Sequence, residues 1–137
     1  MKRCVNTLAQ VLLVVLSSFL LSSCTKDSIT LERHYVVVDY KAQDIRIESD
    51  NDVVDIGFSL CDSDYGEGNR YLSGDTLYHT GGWFRIIHYR KDPTHIVVSV
   101  DENETKIDRS VLVVASSLVA NDTVRIVQKA KPDMLVE

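Results

Sequence analysis

The chain has 137 residues, of which 45% are hydrophobic and 26% charged, a length and balance that suit one globular domain able to bury a core. Fifteen Lys+Arg against twenty Asp+Glu leave a formal charge of −5, which argues against nucleic acid or an anionic lipid surface as the partner.

Residues 1–23 open on Lys2 and Arg3, continue through an apolar stretch at 11–16 and 19–21, and close on Leu21-Ser22-Ser23-Cys24. A charged start, a short apolar core and small residues at the cut make a secretory signal. A spanning helix would need about 20 predominantly apolar residues. The stretch 5–21 is shorter and is interrupted by Asn6, Thr7, Gln10, Ser17 and Ser18. The Leu-small-small-Cys box directly after the apolar core resembles a bacterial lipoprotein signal. That resemblance implies acylation of Cys24, which becomes the new N-terminus, and attachment to membrane lipid in the cell envelope, at the outer membrane. Several acyl chains on that cysteine would hold the protein firmly, since one chain alone binds only marginally and two signals suffice.

Removing 1–23 deletes Lys2 and Arg3 and no acid, so Lys+Arg falls from 15 to 13 against 20 Asp+Glu, leaving −7 over 114 residues. Cys4 leaves with the signal and Cys24 is consumed, so Cys61 stands alone and no intrachain disulfide can form. Asp62 and Asp64 beside Cys61 would raise its pKa, which speaks for a buried core thiol and against a nucleophile. Residues 24–34 read as the lipidated cysteine and a short polar tether. Within it, Lys26-Asp27 stands where some Bacteroidetes lipoproteins carry an acidic export signal, and either face of the membrane stays open.

From residue 35 the apolar period is two, the mark of strands. The segment 35–40 places Val36, Val38 and Tyr40 on one face, and 43–49 alternates Ile45 and Ile47 with Arg46 and Glu48. Asp50-Asn51-Asp52 is a turn cluster. Next, 53–60 aligns Val54, Ile56, Phe58 and Leu60, and 83–89, 95–100, 110–116 and 123–128 complete the set, with Asn121-Asp122 as the turn between the last two. No window outside the signal holds an amphipathic helix. Seven short strands with turn punctuation predict an all-β fold, a single antiparallel Ig-like β-sandwich over 35–131 followed by a tail at 132–137. The inter-sheet disulfide of antibody domains is absent. One stretch breaks the rhythm: 62–82 holds five of the six glycines and Tyr65, Tyr71 and Tyr78, and reads as an irregular insertion with at most a brief strand at Leu77-Tyr78.

Between residues 83 and 131, Trp83-Phe84-Arg85-Ile86 is followed by the alternating 96–100, then by Asn103, Arg109, the apolar 111–114 and a last strand ending at Gln128. This resembles the second half of a BACON-type domain, an Ig-like module of Bacteroidetes secreted proteins. The resemblance implies association with carbohydrate.

Sugar recognition wants an exposed aromatic ring beside planar polar groups. Trp83 after Gly81-Gly82, and Tyr65, Tyr71 and Tyr78 in the insertion, are the candidate ligand-binding residues, Trp83 with core packing as its competing role. Asp62, Asp64, Glu67 and Asn69, and separately the turn at 101–104, offer oxygen ligands of the kind calcium takes, yet solvated turns are routinely acidic. His34, His79, His88 and His95 share no metal-ligand spacing, although His88 and His95 are candidate cross-strand neighbours. No G-x-S-x-G elbow or P-loop is present. The expectation is therefore a non-enzymatic, lipid-anchored binding or accessory protein, without metal or cofactor, whose partner is a glycan. The alternatives are a structural protein-interaction subunit of an outer-membrane complex and, further off, a small hydrolase or metal enzyme.

Overall fold

Apolar residues at alternate positions leave most of the strands with one apolar face, and the structure closes two such sheets on one another. The computed structural model describes residues 28–60 and 68–133. Its strands are β1 (Tyr35–Val38), β2 (Gln43–Glu48), β3 (Asp55–Ser59), β4 (Asn69–Ser73), β5 (Thr76–Thr80), β6 (Phe84–Tyr89), β7 (His95–Val100), β8 (Arg109–Ser116) and β9 (Asn121–Gln128), with no helix among the described residues. One sheet has the order β1-β9-β8-β3 and the other β2-β7-β6-β5-β4. The runs β9-β8-β3 and β2-β7-β6 match the G-F-C and B-E-D orders of an Ig-like sandwich.

The core lies between the inner faces. Ile45 and Ile47 of β2, Phe84 and Ile86 of β6 and Ile96, Val98 and Val100 of β7 meet Val111, Val113 and Ala115 of β8 and Val124 and Ile126 of β9, all buried. Each of the Val, Ile and Phe side chains contributes about 1.5–3 kcal/mol on burial.

Four features depart from the sequence expectation. The fold has nine described strands rather than seven, because the glycine-rich insertion is itself a hairpin, β4–β5, that extends the second sheet. The sandwich is not antiparallel throughout: β1 runs parallel to β9, Tyr35 opposite Arg125 and Val38 opposite Gln128. Asn121 and Asp122 are not the last turn but the first residues of β9, paired with Ser116 and Ala115. That turn is the four-residue loop 117–120, closed by the Ser117 N–H donating to the Ala120 carbonyl at 2.8 Å. Val54 faces solvent, 48% exposed, while Val53 is buried. The chain is crossing between sheets there, with the Val53 N–H donating to Pro93 O and the Val54 N–H to Ser116 O, so the alternation of β3 does not reach back to 54.

The stretch expected as tether is also partly structure. Ile29 and Leu31 are buried in the core. Leu31 forms an antiparallel bridge to Ser49, and its N–H donates to Asp122 Oδ2 at 2.7 Å. Asn51 Nδ2 donates to the Ser28 carbonyl at 2.6 Å. Residues 28–32 thus lie along β2 before β1 crosses to β9, so the domain begins by residue 28 and not at 35. Residues 1–27, with Cys24 and the signal, lie outside the described residues, as do 61–67 and 134–137. No described helix is long and apolar enough to cross a membrane.

Candidate functional site

Ser73-Gly74-Asp75-Thr76 makes the insertion a hairpin. A two-residue loop between twisted strands needs a positive φ at its first central residue, which glycine supplies without a Cβ clash, and Gly74 has φ 59°. The resulting register sets Tyr71 directly opposite Tyr78. Their rings stack at a centroid distance of 4.9 Å and an interplanar angle of 15°.

The row continues across the sheet. Tyr78 is opposite Ile87, Ile87 opposite Val97 and Val97 opposite Arg46. These five side chains line the outer face of the β2-β7-β6-β5-β4 sheet, away from the core. At the usual strand spacing the row runs about 19 Å. Polar rows flank it. On one side Asn69, Thr80, Arg85, Ser99 and Asp44 fall in register; on the other, Thr76 lies opposite Tyr89, an exposed ring. Tyr71 is 46% exposed at the edge of the sheet. Because the two tyrosine rings face each other, they do not form one flat platform. They offer ring edges, hydroxyls and the outward face of Tyr71.

Trp83 is not brought to this surface. It precedes β6 at the far end of the sandwich, partly buried against the core, and makes an edge contact with Phe84 at 5.0 Å. The Arg109 guanidinium lies 4.4 Å over its ring, a cation–π contact that occupies one face of the indole. Arg109 in turn donates from Nε to Gln128 Oε1 at 2.9 Å and from Nη2 to the Asp101 carbonyl at 2.8 Å. Burial lowers the Arg109 pKa, and the nearby Asp101 charge offsets part of that. Gln128 is fully buried, and its Nε2 donates to Asp101 O at 2.8 Å, Tyr40 O at 3.1 Å and Lys41 O at 3.2 Å.

Asn103, also fully buried, donates from Nδ2 to Ile107 O and Lys129 O and accepts from Thr105 N–H and Oγ1. Its side chain is thereby spent on the 101–108 loop and the chain leaving β9, and Glu102 pairs with Lys131 at 2.9 Å, so the oxygen atoms of 101–104 do not converge as a calcium site. Trp83, Asn103, Arg109 and Gln128, the polar and aromatic landmarks of the sequence pattern, form one plug that ties the loops of this end together. No cluster of three or more His, Cys, Asp or Glu able to hold a metal occurs among the described residues.

The histidines separate as well. His88 is buried on the inner face of β6, its Nδ1 3.4 Å from the His95 carbonyl. His95 projects to the opposite face, beneath the Tyr89 ring at 5.8 Å and with Nδ1 3.3 Å from Asp92. Burial lowers the pKa of His88, and likewise that of His79, which packs edge-on against Phe58 at 4.5 Å. Both favour the neutral imidazole. Asp122 goes the other way from its own burial: desolvation alone would raise its pKa, but hydrogen bonds from the Leu31 and Thr123 N–H groups and from His34 pull it below the ordinary value.

Of the four expected ligand-binding residues, Tyr71 and Tyr78 are brought together, Trp83 is elsewhere, and Tyr65 lies outside the described residues, as do Cys61, Asp62, Asp64 and Glu67. Ile87, Val97, Arg46 and Arg85 were missed by the sequence reading. Gly74-Asp75 between two five-residue runs signals the hairpin and so the meeting of Tyr71 with Tyr78, but no local signal extends the row to Ile87, Val97 and Arg46.

No family model matches the chain, and no curated protein does. Among solved structures, the chain is similar to the NMR structure of a protein from Bacteroides thetaiotaomicron, with TM-score 0.52 and 16% identity over 81% of this chain and 94% of that one. A second match is to a Bacteroides ovatus GH5 xyloglucanase in complex with a XXXG heptasaccharide, with TM-score 0.46 and 13% identity over 80% of this chain and 20% of that one. The first likeness shows the β-sandwich fold; the second adds nothing to it.

Proposed function

We propose that the chain is a non-enzymatic binding protein of the cell envelope, anchored to membrane lipid through acylated Cys24, that takes a glycan along the outer face of its five-stranded sheet. The observation that carries the reading is the row Tyr71, Tyr78, Ile87, Val97 and Arg46, apolar and aromatic in the middle and bordered by Arg85, Asn69 and Thr80. A saccharide presents C–H faces and hydroxyl rims, and such a strip meets the first with ring and aliphatic carbon and the second with planar guanidinium, amide and hydroxyl groups. The BACON-like pattern of 83–131 points to the same ligand class. Affinity electrophoresis of the soluble chain from residue 25 onward, in gels carrying host and dietary polysaccharides, tests it. Retardation on at least one glycan, abolished by Tyr71→Ala, is expected; free migration on all of them overturns the ligand assignment.

A second reading rests on β4. It is an edge strand, and every residue from Asn69 to Ser73 is exposed. An unpaired strand edge is a template for strand addition by a protein partner, as a subunit of an outer-membrane complex would use. Crosslinking in intact cells would then recover one dominant partner joined through β4.

A further inference from the structure

The sandwich has two ends with different character. At one end lie the 39–42, 81–83 and 101–108 loops, closed by the Trp83–Arg109–Gln128 plug. At the other, the segment beginning at Ser28 enters beside the 49–54 crossing and the 117–120 loop. Leu118 and Val119 sit at the tip of that loop, 85% and 69% exposed. Beside them is Val54, also exposed, whose N–H donates to Ser116 O at 2.7 Å.

We propose that this end is a membrane-contacting surface, with Leu118, Val119 and Val54 seated at the headgroup–acyl boundary of the bilayer that holds Cys24. The inference rests on the lipid anchor proposed above and specifies how the domain stands on it. Its first support is reach. Cys24 is four residue steps from Ser28, so a fully extended link spans about 14 Å at most. The Ser28 carbonyl is held by Asn51 Nδ2, and Leu31 is held by Asp122, two residues beyond the 117–120 loop. The anchor therefore leaves the domain on the same side as the apolar tip and cannot carry that side far from the lipid.

The second support is the chemistry of the tip. Backbone groups that reach the hydrocarbon must be satisfied within the protein, and the loop meets part of that need itself. Here the Ser117 N–H donates to Ala120 O, and the Ala120 and Val119 N–H groups donate to Ser117 Oγ at 3.1 and 3.4 Å. Leu118 and Val119 remain outward. No Lys or Arg occurs from 110 to 124, so the contact of the tip itself is apolar; Arg90 and Lys91 are exposed on the turn at the same end, Lys91 paired with Asp75. The acylated Cys24 already holds the molecule, and a second apolar contact from the same molecule fixes the tilt of the domain on the lipid. The tyrosine row then stands along the side of an upright domain, open to solvent.

The test uses the full chain, produced with its own N-terminal segment in a host that acylates it and carrying Cys61→Ser. It is reconstituted into vesicles of phosphatidylethanolamine and phosphatidylcholine. Single Leu118→Cys, Val119→Cys and Ile107→Cys variants carry an environment-sensitive fluorophore, and the lipid carries an acyl-chain nitroxide quencher. Ile107 is exposed at the opposite end and reports the far pole. Quenching and blue-shifted emission at 118 and 119, with neither at 107 and no change in high salt, are expected. Water-like emission at 118 and 119 in protein whose mass spectrum shows an acylated Cys24 overturns the contact and leaves the anchor standing. A blue shift without quenching overturns it in favour of a second copy of this chain covering the tip. Equal quenching at 107 overturns the orientation. An unmodified Cys24 in the mass spectrum removes the anchor, and this inference with it.

Discussion

Replacing Gln128 with methionine keeps the volume and unbranched shape of the side chain and deletes its polar atoms. The Nε2 hydrogens serve Asp101 O at 2.8 Å and, more loosely, Tyr40 O and Lys41 O. Each of those carbonyls keeps another donor: Arg109 Nη2, the Asn103 N–H and Gln43 Nε2 respectively. The loss is thus of net hydrogen bonds, about 1 kcal/mol each for two neutral ones, and not of orphaned carbonyls. Arg109 Nε fares worse, since Gln128 Oε1 is its acceptor at 2.9 Å, and a bond to a charged donor contributes about 1.5–3 kcal/mol. Subtracting about 1 kcal/mol for the gain in apolar burial leaves a destabilisation of about 3 kcal/mol. For a domain of this size that lowers Tm by about 12–24 °C. Urea unfolding followed by far-UV circular dichroism and by the fluorescence of Trp83, the only tryptophan, measures it, with the m-value unchanged. A loss below about 1 kcal/mol would falsify the account of Gln128 as the centre of the plug, since that is the size of one ordinary hydrogen bond.

Other outcomes follow from the same contacts. His79 and His88 have folded-state pKa values below the ordinary 6.5, so as pH falls through 6.5 the unfolded chain binds protons first and stability declines until the folded imidazoles titrate. Their contribution is flat above that range. Urea midpoints between pH 8 and 5 should show the decline, and His88→Phe should flatten it; an unaltered slope in the variant would remove His88 from the account. Asp122→Ala deletes the acceptor for Leu31 and His34 and should cost about 1–3 kcal/mol. It should also speed tryptic cleavage after Arg33, and a cleavage rate equal to that of the parent chain would contradict the seating of residues 28–34. Gly81→Ala places a Cβ 2.2 Å from the buried Phe84 ring, and the forced shift should cost about 1–3 kcal/mol in thermal melts. Tyr71→Ala, by contrast, removes a cross-strand aromatic pair contributing about 0.2–1 kcal/mol, so its expected loss of glycan retardation should come with a melt close to that of the parent chain.

Alternation alone made seven of the described strands legible, because each buries one face and leaves the other wet. Ile45, Ile47, Val98 and Val113 all point as their spacing demands. Of the other two strands, β4 is exposed throughout and β5 is mostly half-buried, so the period-two signal is weak there, only a brief strand at Leu77-Tyr78 is legible, and the turn residues Gly74-Asp75 carry the information instead. Ile29 and Leu31 were hidden for a related reason: two apolar residues among polar neighbours read as linker until a second strand supplies the bridge at Ser49. Half of the candidate site followed the same division. Tyr71 and Tyr78 could be named as exposed rings, but their meeting depends on hairpin register, and their continuation into Ile87 and Val97 depends on pairings between strands distant in sequence. Trp83 could not be assigned between core and surface by type alone. Its place was decided by Arg109, 26 positions away in the chain.

The parallel pairing of β1 with β9 has a mechanical consequence. Parallel first and last strands send the two ends of the domain to opposite poles, with Ser28 leaving at the Leu118 end and Lys129, whose N–H donates to Val38 O, leaving at the other. Tension applied between an anchor ahead of residue 28 and a load beyond residue 129 runs along the strand axes. It shears the four pairs from Tyr35–Arg125 to Val38–Gln128 together and does not peel them one at a time. The fold that holds the apolar tip toward one pole is thereby also arranged to carry load between its two ends.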